Sequence, residues 1–397
     1  MPKPPVIPVD VRRDRFDPVD ELNELRAKSP VTPWDTVPGL AHRPSWLVTG
    51  HELVRTVLGD YRRFRTKPPA DTEEESDQLI QPGNLLHYDP PEHSRLRKMF
   101  TAEFTVKRMR RLEPRIEAIL DEYLDMLEQA GPPLDLMRHF AQPVPGMIIC
   151  ELLGVPPDDH ANLARYGNML RDGTRTREQR MAAGTWLLNY FGAHIARLRK
   201  EPDEELLGML VREHGDELTD EDLTGFATAL VNAGLDNTSA MIGLGVLLLL
   251  EHPGQLALLR ERPELIDNAV EELLRYISVI PTASPRTATE DVTLAGVTIN
   301  KGDRVKCSLM SANRDPSGCG EPGRLDITRE PAPHVAFGHG VHHCLGAPLA
   351  RMEMRMVYQA LFQRFPGLKL AVPPESVRFR VAPSKVVFSV EALPVEW

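Results

Sequence analysis

The sequence predicts a mainly α-helical chain with a small β part, organised around one long buried helix. Three observations carry this. Apolar residues recur at helical period over 111–127, 195–199 and 256–276. Strand-like runs are short: one lies at 46–49, and the others fill the last third at Val292–Leu294, Val297–Ile299, 304–308, 377–381 and 386–390, with Asn300-Lys301-Gly302 as a turn. Finally, Thr219-x-x-Asp222 forms a capping pattern, and no proline follows until Pro253. A helix of about thirty residues would be a rod ~45 Å long.

The second half of that helix, 241–250, is apolar nearly all round. It must be buried, and it is too short to span a bilayer. Its middle is a polar knot, Asn232-Ala233-Gly234-Leu235-Asp236-Asn237-Thr238-Ser239. A mid-helix glycine costs ~1 kcal/mol, and polar side chains without partners cost more. Two readings stay open: a kink satisfied by water or back-bonding hydroxyls, or a site needing close approach and hydrogen bonding at mid-helix.

Composition is that of an ordinary globular chain, 42% hydrophobic and 26% charged over 397 residues. Four scattered cysteines (Cys150, Cys307, Cys319, Cys344) do not make a disulfide framework. They point to a reducing cytoplasm, where a special cysteine is catalytic or ligating. Residues 1–30 are proline-rich and charged without an apolar core, so neither a signal peptide nor a membrane anchor is expected there. A net charge of −10 argues against a nucleic-acid partner.

The most informative segment runs from His334 to Arg351. Pro348 sits in the first turn of a helix whose apolar stripe continues to Phe365, so Cys344 lies just before a helix N-terminus. Free N–H groups and the positive dipole end there favour a thiolate. Gly338, Gly340 and Gly346 permit a tight turn and the approach of a flat ligand, and Phe337 is placed to shield the sulfur. His339, His342 and His343 raise a zinc site as the alternative, but no second Cys/His pair with zinc-site spacing occurs.

Phe337-x-x-Gly340-x-x-x-Cys344-x-Gly346 resembles the haem-binding signature of cytochromes P450, and 337–351 looks like its soluble bacterial form. The resemblance extends from about Trp46 to the C-terminus. It implies one domain over 1–397 with an N-terminal arm of about forty residues, a long central helix over the haem, haem b (iron protoporphyrin IX) as cofactor, and Cys344 as iron ligand. Glu272-x-x-Arg275 is similar to the family's buried ion pair, with Arg324 the best match to its third member and Arg329 the fallback. His93, Arg97, Arg286 and His342 match positions that meet the haem propionates, where buried carboxylates need charge-assisted donors.

Ala233-Gly234-Leu235-Asp236-Asn237-Thr238 resembles the oxygen-activation motif, in which the glycine makes room over the iron while acid and alcohol relay protons. Here Asn237 stands where the alcohol is expected, and Thr238 is rotated by about 100°. Four readings follow: Thr238 reaches the site through a widened helix, Asn237 holds a relaying water, a substrate hydroxyl completes the relay, or chemistry shifts from hydroxylation towards epoxidation or oxidative coupling.

The resemblance further implies a monooxygenase using O2 on a small-molecule secondary metabolite such as a macrolide or other polyketide, in antibiotic biosynthesis. Substrate contacts are expected from 66–86, 163–190, 229–233, 280–284 and 384–387, the first including an acidic run at 71–77. No flavin or nicotinamide fingerprint is present, so electrons are expected from ferredoxin and ferredoxin reductase. Arg95, Lys98, Arg108, Arg110, Arg111, Arg351 and Arg355 are candidates for a basic docking face. A haem carrier without turnover is the reading from another class; it needs neither Asp236 nor a docking face.

Overall fold

The computed structural model describes residues 7–34, 44–66, 80–171, 175–380 and 387–397. The long helix is Asp220–Glu251, 32 residues, and Thr219 caps it in a reciprocal box with Asp222. It is long and apolar enough to cross a membrane by composition, yet 72% of its most apolar window is buried inside the protein. Around it pack Pro143–Leu153, Arg177–Leu198, Ile266–Ile277 and Ala347–Arg364. Their apolar stripes fuse into the larger core.

The β part is small and divided. One sheet has the order Val31–Pro33, Ser45–Val48, Arg304–Cys307, Arg286–Ala288, Phe64–Arg65, with Ser45–Val48 and Arg304–Cys307 parallel in the register Arg304 to Ser45. A separate apolar cluster backs it. Val292–Leu294 and Val297–Ile299 are strands, as expected, and they pair with each other antiparallel. The run at 377–381 shortens to Phe379–Arg380 and that at 386–390 to Ser389–Val390; residues 381 and 386 lie outside the described residues.

One helix expectation is corrected. The 256–276 stretch is not continuous: it divides into Pro253–Glu261, a short turn at Pro263–Leu265, and Ile266–Ile277. Pro263 has no N–H to continue the ladder, and it drives Arg262 out of helical geometry to φ −128° and ψ 72°.

Glu272 and Arg275 form the hub of the proximal half. Arg275 donates from Nε and Nη2 to the two Glu272 oxygens at 2.7 and 2.8 Å, and both side chains are buried. The third member is Arg329, not Arg324: Arg329 Nε reaches Glu272 Oε1 at 3.3 Å, whereas the exposed Arg324 side chain pairs with Asp326. Arg324 contributes its backbone carbonyl instead, accepting from Arg275 and Arg329. Asp326 N–H also donates to Glu272, so the hub fixes the whole 313–329 meander. Asn313 passes that order on by accepting from Val335 N–H at 2.7 Å, at the start of the cysteine loop.

Glu353, on the helix after that loop, is buried with Oε1 unpartnered, and burial pushes its carboxyl up to about 8. The unfolded chain releases this proton near pH 4.5 and the folded chain only near 8. Glu353 therefore costs stability progressively as pH rises between these values. Glu353→Gln is expected to be more stable than the wild type at pH 7 by roughly 2–4 kcal/mol, with the difference vanishing near pH 4. Urea unfolding at the two pH values measures this.

Candidate active site

The cysteine loop turns as its glycines require. Gly340 has φ +73°, and a Cβ there would strike the Leu58 carbonyl oxygen. Cys344 N–H donates to Phe337 O at 2.9 Å, closing the loop under the sulfur. A Cβ on Gly346 would meet no protein atom within 4 Å, so that side of the loop is left open to a flat ligand. Cys344 keeps accessible surface although protein surrounds it on most sides.

The expectation of a lowered thiol pKa is not met. Burial pushes the Cys344 thiol up, against the Gly346 and Ala347 N–H groups, Arg97 and Arg351, which act the other way. A coordinating metal supplies what the helix end alone does not, since a ligating thiol is deprotonated outright.

The Phe337 ring is held from behind. Arg351 lies 4.7 Å over it, and its guanidinium makes a bidentate pair with Glu271 at 2.6 and 2.9 Å. His334 donates to the same carboxylate at 3.1 Å. Burial works to raise Glu271, but the Arg351 and His334 hydrogen bonds outweigh it and hold the carboxyl at about 2.

The three loop histidines point apart. His339 sits against Gly59, His343 edges the Phe337 ring, and His342 approaches His93 with ring centroids 4.3 Å apart. His93 and Arg97 lie four residues apart on Glu92–Glu103, and Arg286 is buried on its strand. All four candidates are electrostatic neighbours: His93 feels His342, Arg97 and Arg286, and burial followed by His342 drives its pKa down to about 4. Arg97 in turn feels Cys344.

Both ring nitrogens of His93, Nδ1 of His342 and Nη1 of Arg286 are buried without a protein partner. Each neutral histidine donates from one ring nitrogen, and a buried polar atom left without a partner costs ~1–3 kcal/mol. The carboxylates of a haem beside Cys344 are the acceptors this donor set fits. Thr66 and Asp89 steady His342 from the other side, Thr66 Oγ1 lying 3.3 Å from Nε2.

A cleft of about 2070 Å³ runs along the long helix. Its lining on that helix extends from Asp220 to Ala240 and includes Ala229, Ala233, Asp236, Asn237 and Ala240. These last five share a stripe at spacings of four, seven, eight and eleven, one face of a helix. Gly234 is off that stripe. A Cβ there would meet Ile149 Cδ1 at 2.6 Å, so the glycine permits close packing against Pro143–Leu153 and does not open room on the cleft side.

Thr238 is buried and does not line the cleft, and the helix is regular α through it, so no widening brings the hydroxyl round. Asn237 donates Nδ2 to Ala233 O at 2.9 Å. The hydroxyls of Thr228 and Ser239 are likewise bonded back to Thr224 O and Leu235 O. The knot thus combines both open readings: back-bonded polar groups and a cleft-facing acid.

Of the expected contact segments, Gln81, Asn84, Leu86, Arg165, Leu188, Ile280 and Val387 line the cleft. The acidic run at 71–77 and residues 384–386 lie outside the described residues. Sequence reasoning did not place Met137, Gln142, Phe379 and Arg380 in the cleft: the first two come from an irregular turn, and the strand-like run that holds the last two does not say what its side chains line. The expected docking face is thinner than seven cations: Arg95, Arg108, Arg351 and Arg355 pair with Glu92, Glu213, Glu271 and Glu113. Lys98, Arg110 and Arg111 are exposed.

Comparison with known proteins agrees with this geometry. The family model described as Cytochrome P450 matches residues 37–206 and 196–378. "Cytochrome P450 165B3" of Amycolatopsis orientalis is 45% identical over 396 residues, 98% of each chain. The structure of OxyE (CYP165D3), a cytochrome P450 involved in teicoplanin biosynthesis, superposes with a TM-score of 0.92 at 45% identity, covering 99% of this chain and 100% of that one. OxyC, a cytochrome P450 implicated in an oxidative C–C coupling reaction during vancomycin biosynthesis, gives 0.89 at 43% identity and 99% of both chains. The chain therefore belongs to the cytochrome P450 family of haem-dependent monooxygenases.

Proposed function

We propose that this cytochrome P450 acts on an extended secondary metabolite in antibiotic biosynthesis, and that its outcome is oxidative coupling within that substrate. The observation that carries the reading is Asn237, whose amide is bonded to Ala233 O where the family's relay places a hydroxyl. An amide neither titrates nor passes a proton by rotating, as a hydroxyl does. Thr228 and Ser239 are also bonded back, and Asp236 is the acid that lines the cleft on this helix beyond its first turn.

With the Thr228 and Ser239 hydroxyls bonded back to the helix, a substrate that brings its own hydroxyls, such as a phenol, suits this site. Coupling removes one hydrogen from each of two groups and joins them, and the two hydrogens leave in water. OxyC's implication in oxidative C–C coupling supports the reading. The cleft supports an elongated substrate: its lining from Asp220 to Ala240 covers twenty residues of helical rise, about 30 Å, the reach of about nine extended residues.

Cys344 would hold the iron, with His93, Arg97, Arg286 and His342 on the propionates. Haem bound there supplies the dioxygen chemistry, driven by two electrons. We assign their delivery to ferredoxin and its reductase, docking where Lys98, Arg110 and Arg111 are exposed, and the location to the cytoplasm, as the four free cysteines suggest. Replacing Arg286 by Met, which keeps bulk and removes the charged donor, is expected to weaken haem retention about 10- to 100-fold, read by haem transfer to apomyoglobin.

We assign proton delivery on the cleft side to Asp236, the carboxyl that lines the cleft at mid-helix. Asp236→Asn is expected to lower product per NADH about tenfold or more; wild-type coupling of electrons to product would contradict that role. Hydroxylation or epoxidation of a compact macrolide is the second reading, favoured by the retained Asp236. Turnover with a tyrosine-rich linear peptide and with a macrolide aglycone separates the two. The expected result is a peptide product lighter by two hydrogens. A macrolide heavier by one oxygen, with the peptide unchanged, would overturn coupling.

A further inference from the structure

The cleft wall formed by Phe379–Arg380 and Ser389–Val390 is held from outside the site. Phe379 and Phe388 stack with centroids 5.4 Å apart and planes 1° from parallel. The N-terminal arm closes on this stack. The hairpin of Arg13–Asp14 and Asp17–Pro18 delivers Phe16 edge-on to both rings, at 5.4 and 6.3 Å and 84° to each. Arg13 and Arg15 then cover the two rings, Arg13 4.2 Å over Phe388 and Arg15 5.1 Å over Phe379.

Each arginine is also anchored in the main body. Arg13 donates to Ser278 O at 2.6 Å and Phe16 O at 3.0 Å. Arg15 donates to Pro374 O at 3.1 Å and pairs with Glu251, the last residue of the long helix. Phe16, Arg13 and Arg15 do not line the cleft, whereas Phe379, Arg380, Val387 and Ser389 do. Two-residue strands have little register strength of their own, so these contacts set where the wall stands.

We propose that the 13–18 hairpin is a positioning device for substrate specificity, with Phe16 as the wedge that fixes the Phe379–Phe388 wall of the cleft. The inference rests on the cleft being the substrate site. It predicts that loosening the wedge changes recognition of bulky ligands while leaving the haem environment unchanged.

The test uses the haem-loaded full chain and two iron-binding probes. Imidazole is small and reports the iron alone; clotrimazole is bulky and must share the cleft. Phe16→Ala is expected to weaken clotrimazole about three- to tenfold in spectral titration, the size of the lost edge-to-face contacts, with imidazole affinity and the carbon monoxide spectrum unchanged. Phe16→Met, which refills the volume and restores a contact to the rings, is expected to recover most of the loss. Amide exchange at Phe388, whose N–H donates to Val279 O at 2.8 Å, is expected to quicken in Phe16→Ala.

Unchanged or tighter clotrimazole binding, or an equal loss for both probes, would overturn the proposal. Should Phe16→Ala not fold, Arg15→Gln decides in the same way, since it removes a half-exposed cation over Phe379 without opening the core. Wild-type protein that binds clotrimazole no better than imidazole would instead remove the cleft as the substrate site.

Discussion

Cys344→Ser is expected to fold as the wild type does and to lose turnover by at least about 100-fold. The loop uses residue 344 through its backbone, by the N–H to Phe337 O, and serine keeps that bond. What serine lacks is an ionisable sulfur. The Gly346 and Ala347 N–H groups with Arg97 and Arg351 favour an anion at this position against the burial that opposes it, and a hydroxyl remains protonated there. Denaturant midpoints of wild type and variant compare the folds, and NADH-driven product formation compares the chemistry. A variant retaining a tenth or more of the activity would show that the sulfur is not what these groups serve.

Glu272→Gln is expected to be the most damaging change remote from the cleft, costing about 3–5 kcal/mol of stability. Glu272 receives two bonds from Arg275, one from Arg329 and one from Asp326 N–H, in a buried setting. Glutamine keeps the shape but leaves the Arg275 charge buried without its counter-ion. Because the hub reaches the cysteine loop through Asn313 and Val335, haem content should fall with stability. Arg324→Ala is the contrasting substitution. Its side chain is exposed and its contribution is a backbone carbonyl, so a change within ~0.5 kcal/mol is expected. Equal losses at Glu272 and Arg324 would contradict the assignment of Arg329 as third member.

What was legible in the sequence follows from what regular spacing encodes. The long helix announces itself through its capping box and proline-free run, and the structure places its ends within two residues of Leu218 and Pro253. The cysteine loop is legible because its glycines and the helix start at Pro348 are dictated by local geometry. Glu272 and Arg275 are legible as one helical turn. Their partner in the 313–329 meander is not, because an irregular segment has no period to say which arginine turns inward.

The face that Gly234 presents is not legible for a related reason. A motif gives the order of residues, but which face each presents depends on the neighbouring helix, and Gly234 packs against Ile149. Arg351 likewise reads as a free surface cation until Glu271, eighty residues earlier, is found beside it. The runs at 377–381 and 386–390 are legible as strands, but no local spacing says that Phe16, at the other end of the chain, packs against Phe379 and Phe388.

The account stands on a haem whose iron is held by the Cys344 thiolate, and the absorption spectrum of the dithionite-reduced wild-type protein under carbon monoxide tests it most directly. The expected result is a Soret band at the position of thiolate-ligated haem. A band at the position of histidine-ligated haem, or no haem at all, would contradict it.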